Sequence, residues 1–474
     1  MMDRPHVVIL GGGVTGLVAA YRLRQLYESE TGISLRCTLI EKDERFGGKI
    51  QTKRTDNYTL ELGPDSIFTR KPAGLELIKD MGLTENVVPV SSSGGTLVWH
   101  NGELHPLPPG VNTGVPSDLG AFAKTKLVSL RGKVRALLEV MLPHESYPND
   151  VSLGDFLRKR LGNEVVDMIA APILSGIYAG DIDRLSLDAT MPMLRELYEK
   201  NFRLLLGAMR QKKHASHVSR LSGPMFINLE DGLEQLVEHL VFQIRDFAEL
   251  RVDSHALRIQ FAETERYHIH LVEHKENSMI QADAIILATP AFESAELLAD
   301  LGVNCEELES IRYASTATVS IGYKSTSSSF NIVGSGFLVP RNEGTIITAC
   351  TIVSNKWVHA SKQGTLLIRC YVGRDGDEDA VEWDDARLIQ AVLRDLEKST
   401  GLKDEPEFIE IKRWKSSMPQ YDVGHLKRIE RIDQEVSSLP GIFLAGAAYR
   451  GIGIPDCIKD ATRVVERVKS YLDR

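Results

Sequence analysis

The chain has 474 residues, 43% of them hydrophobic, and its 56 lysines and arginines against 65 aspartates and glutamates leave a net charge of -9. The length suggests two or three domains, and the negative charge argues against nucleic-acid binding by the chain as a whole. The five cysteines include no CxxC pair, which argues against a disulfide framework or a zinc knuckle and favours a reducing cytoplasm.

The sequence predicts neither a leader peptide nor a membrane span. The chain enters a strand at residues 6–10 without a basic-then-apolar leader. No uninterrupted apolar run approaches the ~18 residues that a span needs. We therefore expect a soluble, cytoplasmic protein, and peripheral contact with a membrane surface stays open, as does the choice between monomer and homodimer.

The first fifty residues predict a strand, a glycine-rich turn, a helix and a second strand. Residues 7–10 form a short apolar run, and Gly16, Ala20, Leu23 and Tyr27 then recur at helical spacing. With residues 35–40 as the second strand, this order is typical of a parallel β-α-β unit.

The middle of the chain changes its periodicity twice. Residues from about 110 to 210 predict helices, as at 127–141 and 153–161, and end in a basic stretch at 210–214. An alternating strand pattern fills residues 225–295 and ends at 284–288. Further β-rich runs lie too close together for crossover helices, so they predict an antiparallel sheet; they are 316–323, 345–353, 365–372 and 407–414.

The sequence predicts one helix and one loop among the β-rich runs, and a strand and a helix at the C-terminal end. A helix at 386–398 interrupts the β-rich runs and has Gly401 as a plausible C-cap, and the serine-rich run 325–329 predicts a short loop. A strand at 441–446 precedes a last helix. That helix has one apolar stripe, formed by Ile458, Ala461, Val465, Val468 and Leu472.

The clearest chemical signal is a G-x-G-x-x-G motif at residues 11–16, directly after a strand and before a helix. Gly11 permits the tight turn, Gly13 allows a pyrophosphate to approach the backbone, and Gly16 allows helix and strand to pack closely. The helix N-terminus offers free N–H groups to phosphates, and Glu41 at the end of the second strand can accept hydrogen bonds from a ribose diol. The pattern predicts a dinucleotide site, and a glycine turn without a ligand is the weaker interpretation.

Several segments resemble the amine-oxidase and porphyrinogen-oxidase flavoproteins. Glu41-Lys-Asp-Glu-Arg45-Phe-Gly47-Gly48-Lys49 is similar to their E-x(3)-R-x-G-G-[KR] signature, and Glu61-Leu-Gly63-Pro64-Asp65-Ser66 is similar to their E-x-G-P loop. Residues 288–290, 444–446 and 451–457 resemble later segments of the same superfamily.

A narrower likeness is to protoporphyrinogen and coproporphyrinogen oxidases. It is carried by residues 174–186, by Met418-Pro-Gln-Tyr421 with Gly424-His425, and by the run from Gly451 to Cys457. The resemblance extends over nearly the whole chain, from residue 7 to about residue 468.

The resemblance implies an α/β fold of the amine-oxidase-like type in three parts. A Rossmann-like FAD-binding domain would comprise residues 1–50, 225–296 and 430–474. A substrate domain with a mixed or antiparallel sheet would comprise 51–90, 208–224 and 297–429, and a helical domain would comprise 91–207. FAD should be noncovalent, because Cys457 lacks the setting of the cysteine that tethers flavin in some amine oxidases.

The resemblance also implies a set of site residues. Lys71 and the Gly176 backbone are the expected substrate contacts, no metal is expected, and no catalytic side chain is assigned because the flavin itself accepts the hydride. The expected FAD contacts are Gly11, Gly12, Gly13, Val14, Thr15, Gly16, Glu41, Lys42, Arg45, Gly47, Gly48, Lys49, Ile50, Gly63, Pro64, Asp65, Ser66, Leu257, Thr289, Trp414, Gly446, Ile452, Gly453 and Ile454.

The implied reaction is the six-electron oxidation of coproporphyrinogen III to coproporphyrin III, with three dioxygen reduced to three peroxide. Plant and animal protoporphyrinogen oxidases carry an arginine, associated with a substrate propionate, where this chain has Thr96. This departure favours coproporphyrinogen III and leaves protoporphyrinogen IX as the alternative substrate. A flavin amine oxidase or a carotenoid-desaturase-like enzyme is the next alternative, and a flavin-binding sensor or carrier is the alternative outside enzymes.

Single residues keep two interpretations each. Asp456 could cap the last helix, Trp414 could pack near the flavin or in a core, and Lys71 could be a solvated lysine. The basic stretch 210–214 could be a solvated run or could attract anionic lipid or substrate carboxylates. The thirteen histidines have no metal-ligand spacing.

Overall fold

The computed structural model describes residues 4–29, 35–91, 95–111, 114–218, 223–262, 266–324 and 332–474, with the side chains of residues 28, 29 and 213–218 left aside. The serine-rich run 325–329 lies outside these residues. The strands are β1 His6–Leu10, β2 Arg36–Ile40, β3 Thr52–Arg54, β4 Thr59–Glu61, β5 Ile67–Phe68, β6 Val87–Pro89, β7 Thr96–His100, β8 Glu103–Pro106, β9 Phe226–Leu229, β10 Ala248–Arg251, β11 Ser254–Phe261, β12 Tyr267–Glu273, β13 Glu276–Ala282, β14 Ala284–Leu287, β15 Tyr313–Tyr323, β16 Gly336–Leu338, β17 Ile347–Ile352, β18 Leu366–Val372, β19 Phe408–Pro419 and β20 Ile442–Leu444.

Helices follow the same numbering along the chain. They are α1 Val14–Ser29, α2 Ala73–Asp80, α3 Leu119–Lys124, α4 Leu130–Leu137, α5 Leu153–Leu161, α6 Asn163–Val165, α7 Ala171–Tyr178, α8 Leu187–Thr190, α9 Pro192–Asn201, α10 Leu204–Val218, α11 Glu234–Ile244, α12 Ala291–Leu298, α13 Glu306–Glu309, α14 Val353–Lys356, α15 Asp385–Thr400, α16 His425–Ser437 and α17 Ile454–Leu472. Among the described residues, none of these helices is both long and apolar enough to cross a bilayer.

A five-stranded parallel sheet forms the first layer, in the order β10-β2-β1-β14-β20. Every residue of β1 is buried because the sheet is covered on both faces, as parallel sheets usually are. Val7 and Ile9 pack toward α1, α11 and α17, whereas Val8 and Leu10 pack toward β12, α12 and α16. The ends of β1, β2, β14 and β20 lie at the same edge, which brings four chain segments together there.

A seven-stranded sheet forms the second layer, in the order β19-β15-β18-β17-β16-β7-β8. Its pairs are antiparallel except for β16 with β7, so the sheet is mixed. One face is apolar, with Val319 and Ile368 among its members, and it packs against Leu388 and Val392 of α15. The opposite face packs in part against Leu60 and Leu62, and its half-buried residues on β16 to β18 can line a site.

Helices α3 to α10 form a separate packed core that includes Phe156, Leu157, Ile169 and Tyr198. Serine side chains begin three of these helices: Ser129, Ser152 and Ser186 each accept a hydrogen bond from a backbone N–H in the first turn.

The predicted β-α-β unit, the antiparallel pairing within 316–414 and the Gly401 cap are confirmed, with Gly401 at φ 75°. One element prediction is confirmed over a shorter span, and another is wrong. The predicted helix 127–141 begins only at Leu130, because Ser129 caps it, and its last four residues tighten into a 3₁₀ turn. The run 225–295 is not all strand, since α11 and α12 lie within it.

Candidate active site

The glycine-rich turn has the geometry that its three glycines require. Gly11 adopts φ +104° and its N–H donates to the Ile40 carbonyl at 2.8 Å. A Cβ at Gly11 would stand 2.8 Å from the Ala288 carbonyl oxygen, and one at Gly16 would overlap the Gly11 carbonyl oxygen. Both positions therefore need glycine for the fold itself.

Gly13 differs from its neighbours because open space lies beside it. A Cβ built on Gly13 meets no protein atom within 4 Å. The paired glycines of the next loop close one side of this space, with the Gly47 N–H donating to the Gly12 carbonyl at 2.8 Å. The space lies at the N-terminus of α1, where N–H groups without helical partners favour a phosphate.

Glu41 is a buried carboxylate at the end of β2, 7% exposed. Its oxygens accept from the Gly12 N–H at 2.6 Å and from the Asp43 N–H at 3.0 Å. Burial raises the pKa of Glu41, and the two N–H donors oppose that shift. Lys42 points away and pairs with Glu293.

Arg45 acts on the chain rather than on an open surface. Its guanidinium donates to the Gly48 and Ile50 carbonyls, at 3.1 and 2.8 Å, and to Glu234. These bonds hold the paired glycines beside the first turn. The spacing between Arg45 and the glycines therefore has a local structural reason. Lys49 follows and donates to the Ser417 carbonyl of the second sheet. The Lys49 side chain keeps accessible surface beside its bond to the Ser417 carbonyl, and desolvation lowers the pKa of its ammonium group.

The E-x-G-P loop connects the two layers. Trp414 Nε1 and Thr318 Oγ1 both donate to the Leu62 carbonyl, at 2.8 and 3.1 Å. A Cβ at Gly63 would overlap the Lys49 carbonyl oxygen and lie 3.5 Å from the Trp414 ring. Trp414 therefore packs at the predicted site as well as in a core cluster. Pro64 continues the loop toward Asp65.

Two buried carboxylates flank this loop with opposite pKa shifts. Glu61 accepts from Leu233 N–H at 2.7 Å and from Thr52 Oγ1 at 2.9 Å, and burial raises its pKa to about 7. Burial also acts to raise the pKa of Asp65, but Lys356 at 2.7 Å and the nearby Arg369 outweigh it and hold that pKa well below its usual range. Ser66 Oγ donates to Asp65 at 2.9 Å.

The face of the second sheet opposite α15 carries a row of side chains on neighbouring strands. Thr318, Tyr371, Ala349 and Leu338 are register partners on four consecutive strands, and the last three are half-buried. Three strand spacings separate the first from the last, about 14 Å. Gly176 lies beyond the far end, where a Cβ would stand 3.7 Å from Leu338 Cδ2. Gly176 is exposed, and Ile177 beside it is 46% exposed.

The C-terminal segment completes the site. Gly446 adopts φ +125°, donates to Asp460 at 3.0 Å, and lies beside Thr15 of the first turn. Tyr421 Oη donates to the Ala447 carbonyl at 2.6 Å and accepts from the Gly451 N–H at 2.7 Å. These bonds hold the loop that leads through Ile452 and Gly453 into α17.

The interpretation of Asp456 as an N-cap is wrong. Gly453 is the N-cap of α17, and Asp456 sits three residues later, where it accepts from the Gly453 N–H at 3.3 Å. Lys71 Nζ holds both Asp456 oxygens at 2.7 and 2.6 Å while remaining half-exposed. The predicted substrate lysine thus already has a carboxylate partner at the start of this helix.

Other predicted residues are placed as follows. Thr289 borders Gly11 and shares a hydrogen bond with Ser294, and Val14, Ile50 and Ile454 pack in or against the core below the turn. Leu257 is 48% exposed at an irregularity in β11. Cys457 is buried, which raises its thiol pKa to about 11.

Sequence reasoning missed the residues that hold the Gly176 segment in place. Gln420 Nε2 donates to the Tyr178 carbonyl at 3.0 Å, and the Asp375 N–H donates to the Ala179 carbonyl at 2.7 Å. Arg312 binds both Asp375 and Asp422 beside them. Gln420 lies in the Met-Pro-Gln-Tyr signature, which the sequence analysis did single out. The signature does not indicate which distant residues it binds.

The residues present fit a flavin dinucleotide. Phosphates suit the open space over Gly13, and a ribose suits the buried Glu41 carboxylate. No group of His, Cys, Asp and Glu side chains could hold a metal ion in the described parts of the chain. The fold and this site define a dinucleotide-dependent oxidoreductase that has a second, mixed sheet.

The family is more specific than that class. The chain belongs to the flavin containing amine oxidoreductase family, whose model matches residues 14–469. It is 37% identical to the coproporphyrinogen III oxidase of Bacillus subtilis and 33% identical to that of Staphylococcus aureus, over 99% and 98% of this chain and 99% of each relative. A solved structure from Exiguobacterium, provisionally named protoporphyrinogen oxidase, covers both chains fully at 37% identity with a TM-score of 0.87. The predicted amine-oxidase-like fold is confirmed.

Proposed function

We propose that this chain oxidises coproporphyrinogen III to coproporphyrin III, with noncovalent FAD as cofactor and dioxygen as acceptor. The observation that carries the proposal is one sheet face with the E-x-G-P loop and Trp414 at one end and the Gly176 segment at the other. The register partners between them extend for about 14 Å, which suits a macrocycle. The two Gram-positive relatives that bear this name match over their full length.

In this proposal the chain's own residues bind the cofactor, orient the macrocycle and exclude water from it. The turn at residues 11–16 holds the pyrophosphate, Glu41 holds a ribose, and the loop at 61–66 with Trp414 borders the isoalloxazine. The chemistry that FAD would supply at this site is three successive two-electron oxidations of the macrocycle, each with one dioxygen reduced to peroxide. Tyr371 and Leu338 support the macrocycle plane, and the Gly176 backbone closes the far end. Lys71 then pairs with a substrate propionate.

We further propose a division into three parts, with the FAD domain built from residues 1–50, 225–296 and 430–474 as the sequence suggests. The parallel sheet draws its strands from all three of these segments, which favours that division. The helical part, predicted as 91–207, begins only after β8, because β7 and β8 join the second sheet. A cytoplasmic location is consistent with five cysteines that are all free thiols.

The choice of porphyrinogen rests on charge. Coproporphyrinogen III has four propionates where protoporphyrinogen IX has two, and a site for it leaves more carboxylates in water or beside flexible cations. Thr96 stands on β7 next to Gly336 and presents no cation there. Because one solved relative is named as a protoporphyrinogen oxidase, protoporphyrinogen IX is the second substrate to be tested.

Competition between the two porphyrinogens under air tests the proposal. Product fluorescence with mass spectrometry should give a higher kcat/KM for coproporphyrinogen III, with peroxide formed and no NAD(P)H required. A clear preference for protoporphyrinogen IX refutes the substrate assignment. Turnover of amines without any porphyrin product refutes the reaction.

A further inference from the structure

A buried arginine lies on the face of the second sheet opposite α15, next to the E-x-G-P loop. Arg369 belongs to β18, and its side chain is 5% exposed. Its register partners are Ser320 on β15 and Thr351 on β17, and Tyr371 follows two residues later on the same face. Arg369 therefore lies in the row of the sheet beside the one that contains Thr318 and Tyr371.

The hydrogen bonds of Arg369 go to a carbonyl and a hydroxyl oxygen. Nη1 donates to the Glu61 carbonyl of the loop. Nε donates to Tyr371 Oη at 2.9 Å, and Nη2 donates to the same oxygen. The guanidinium thus contacts both the loop at residues 61–66 and a side chain of the proposed site, without a carboxylate in either contact.

The nearest carboxylate is already paired with another cation. Asp65 Oδ2 lies 3.9 Å from Arg369 Nη2, and no other side-chain carboxylate comes within 4 Å of that guanidinium among the described residues. Lys356 Nζ binds the same Oδ2 at 2.7 Å. Burial raises the pKa of the neighbouring Glu61 carboxyl to about 7, so at pH 6 that group is mostly neutral. Two cations and one ionised carboxylate then leave the cluster with a net positive charge.

Arg374 shows how a buried guanidinium of the same region is neutralised. It is also 5% exposed, and it pairs directly with Asp377 at 3.2 Å. Removing a guanidinium from water costs free energy that a directly bonded carboxylate offsets. Arg369 has no such pair, so an anion that arrives with a ligand would find an incompletely neutralised cation there.

We propose that Arg369 stabilises the negative charge that the bound flavin acquires on reduction. Hydride transfer adds two electrons and one proton to the isoalloxazine, so the reduced ring carries one more negative charge than the oxidised ring. A fixed cation in a site with little water stabilises such a charge more than it would in bulk water. The inference rests on the proposed function, which places the isoalloxazine beside residues 61–66.

Two measurements on the FAD-loaded full chain at pH 6, without porphyrinogen, test this role. They are the flavin reduction potential and the dissociation constant of sulfite, an anion that adds to oxidised flavin and leaves negative charge on the ring. Arg369→Gln should weaken sulfite binding by about tenfold or more and lower the potential by about 30 mV or more, the same factor for a two-electron couple. Arg369→Lys keeps the charge and should recover most of both values.

A variant of opposite sign separates charge from damage to the fold. Asp65→Asn removes the carboxylate that faces Arg369 and Lys356, so it should strengthen sulfite binding and raise the potential. Arg374→Gln is the matched control, a buried arginine with its own carboxylate partner, and should give the values of the parent. If Arg369→Gln does not retain FAD, Asp65→Asn and Arg369→Lys still decide, because an unchanged or weakened sulfite affinity in Asp65→Asn contradicts the proposal.

Three further results would overturn it. Parent values in Arg369→Gln would show that the charge does not act on the flavin, and an equal loss in Arg369→Lys would assign the effect to hydrogen bonds. Parent flavin values with a raised KM for porphyrinogen would assign Arg369 to a substrate propionate. Both measurements omit porphyrinogen, so a failure of the substrate assignment leaves their outcome unaffected.

Discussion

Single residues in this protein separate the needs of folding from the needs of the cofactor, and Gly13 is the clearest case. Gly11 and Gly16 are glycine because a Cβ would strike the chain itself, whereas a Cβ at Gly13 meets no protein atom. Gly13→Asp should therefore fold but lose flavin, because the carboxylate would occupy the phosphate space. Far-UV circular dichroism and flavin absorbance measure the two effects.

The neighbouring glycine supplies the contrast for that experiment. Gly16→Ala should reduce stability even without cofactor, since its Cβ overlaps the Gly11 carbonyl oxygen. Full flavin occupancy in Gly13→Asp would contradict the assignment of the pyrophosphate site.

Lys71 allows a test between a substrate role and a purely structural one. It pairs with Asp456 near the start of α17, and a half-exposed pair of this kind stabilises a fold by ~1 kcal/mol or less. If Lys71 also meets a propionate, Lys71→Ala should raise KM with little change in kcat, by a factor that shrinks at high salt. Steady-state kinetics of Lys71→Ala and Asp456→Asn distinguish the two roles. A purely structural role predicts the same change in KM and kcat in both variants.

Glu61 should make stability depend on pH. Its folded pKa of about 7 lies above the usual ~4.3, so its favourable contribution is present below pH ~4.3 and is lost as the pH rises through 7, on the order of 3 kcal/mol. His6 and His425, whose pKa values burial lowers to about 4, act oppositely between pH ~6.5 and 4. The melting temperature of Glu61→Gln should therefore fall less than that of the parent between pH 5 and 8. Parallel curves for the two proteins would exclude this role for Glu61.

At the scale of elements, loops far apart in sequence are joined by a few buried hydrogen bonds. The segment from Met418 to His425 lies between the Gly176 segment, which Gln420 binds, and the loop before α17, which Tyr421 binds. His425 stacks on the Tyr421 ring at 3.9 Å and 12°. This short signature therefore positions both ends of the proposed site.

Removing one hydroxyl should loosen that connection. Tyr421→Phe keeps the stacked ring but leaves the Ala447 carbonyl and the Gly451 N–H without this partner, at a cost of about 2 kcal/mol. We expect a lower melting temperature and weaker FAD binding by titration. Tyr267→Phe, which loses a hydrogen bond to the Pro440 carbonyl away from the site, should lower stability without changing FAD affinity.

At the scale of the whole molecule, the proposed site takes residues from both sheets. The turn and the Glu41 carboxylate belong to the parallel sheet, and Thr318 and Tyr371 belong to the mixed sheet.

A whole-molecule prediction concerns metals. Because the described residues contain no cluster that could hold a metal ion, EDTA should leave oxygen consumption and peroxide release unchanged. Elemental analysis of the purified enzyme should find no stoichiometric transition metal. Loss of activity on chelation with recovery on adding a metal would contradict the mechanism.

The sequence by itself determined the cofactor half of this protein, because its signals are local. Three glycines within residues 11–16, Glu41 at a strand end and Arg45 before paired glycines act over a few residues, so their spacing alone carries their geometry. The tertiary structure decided the rest. Trp414 reaches Leu62 across 352 positions, Gln420 reaches Tyr178 across 242, and Lys71 reaches Asp456 across 385. Such contacts depend on which strands become neighbours, and hydrophobic periodicity within one segment contains no information about its distant partners.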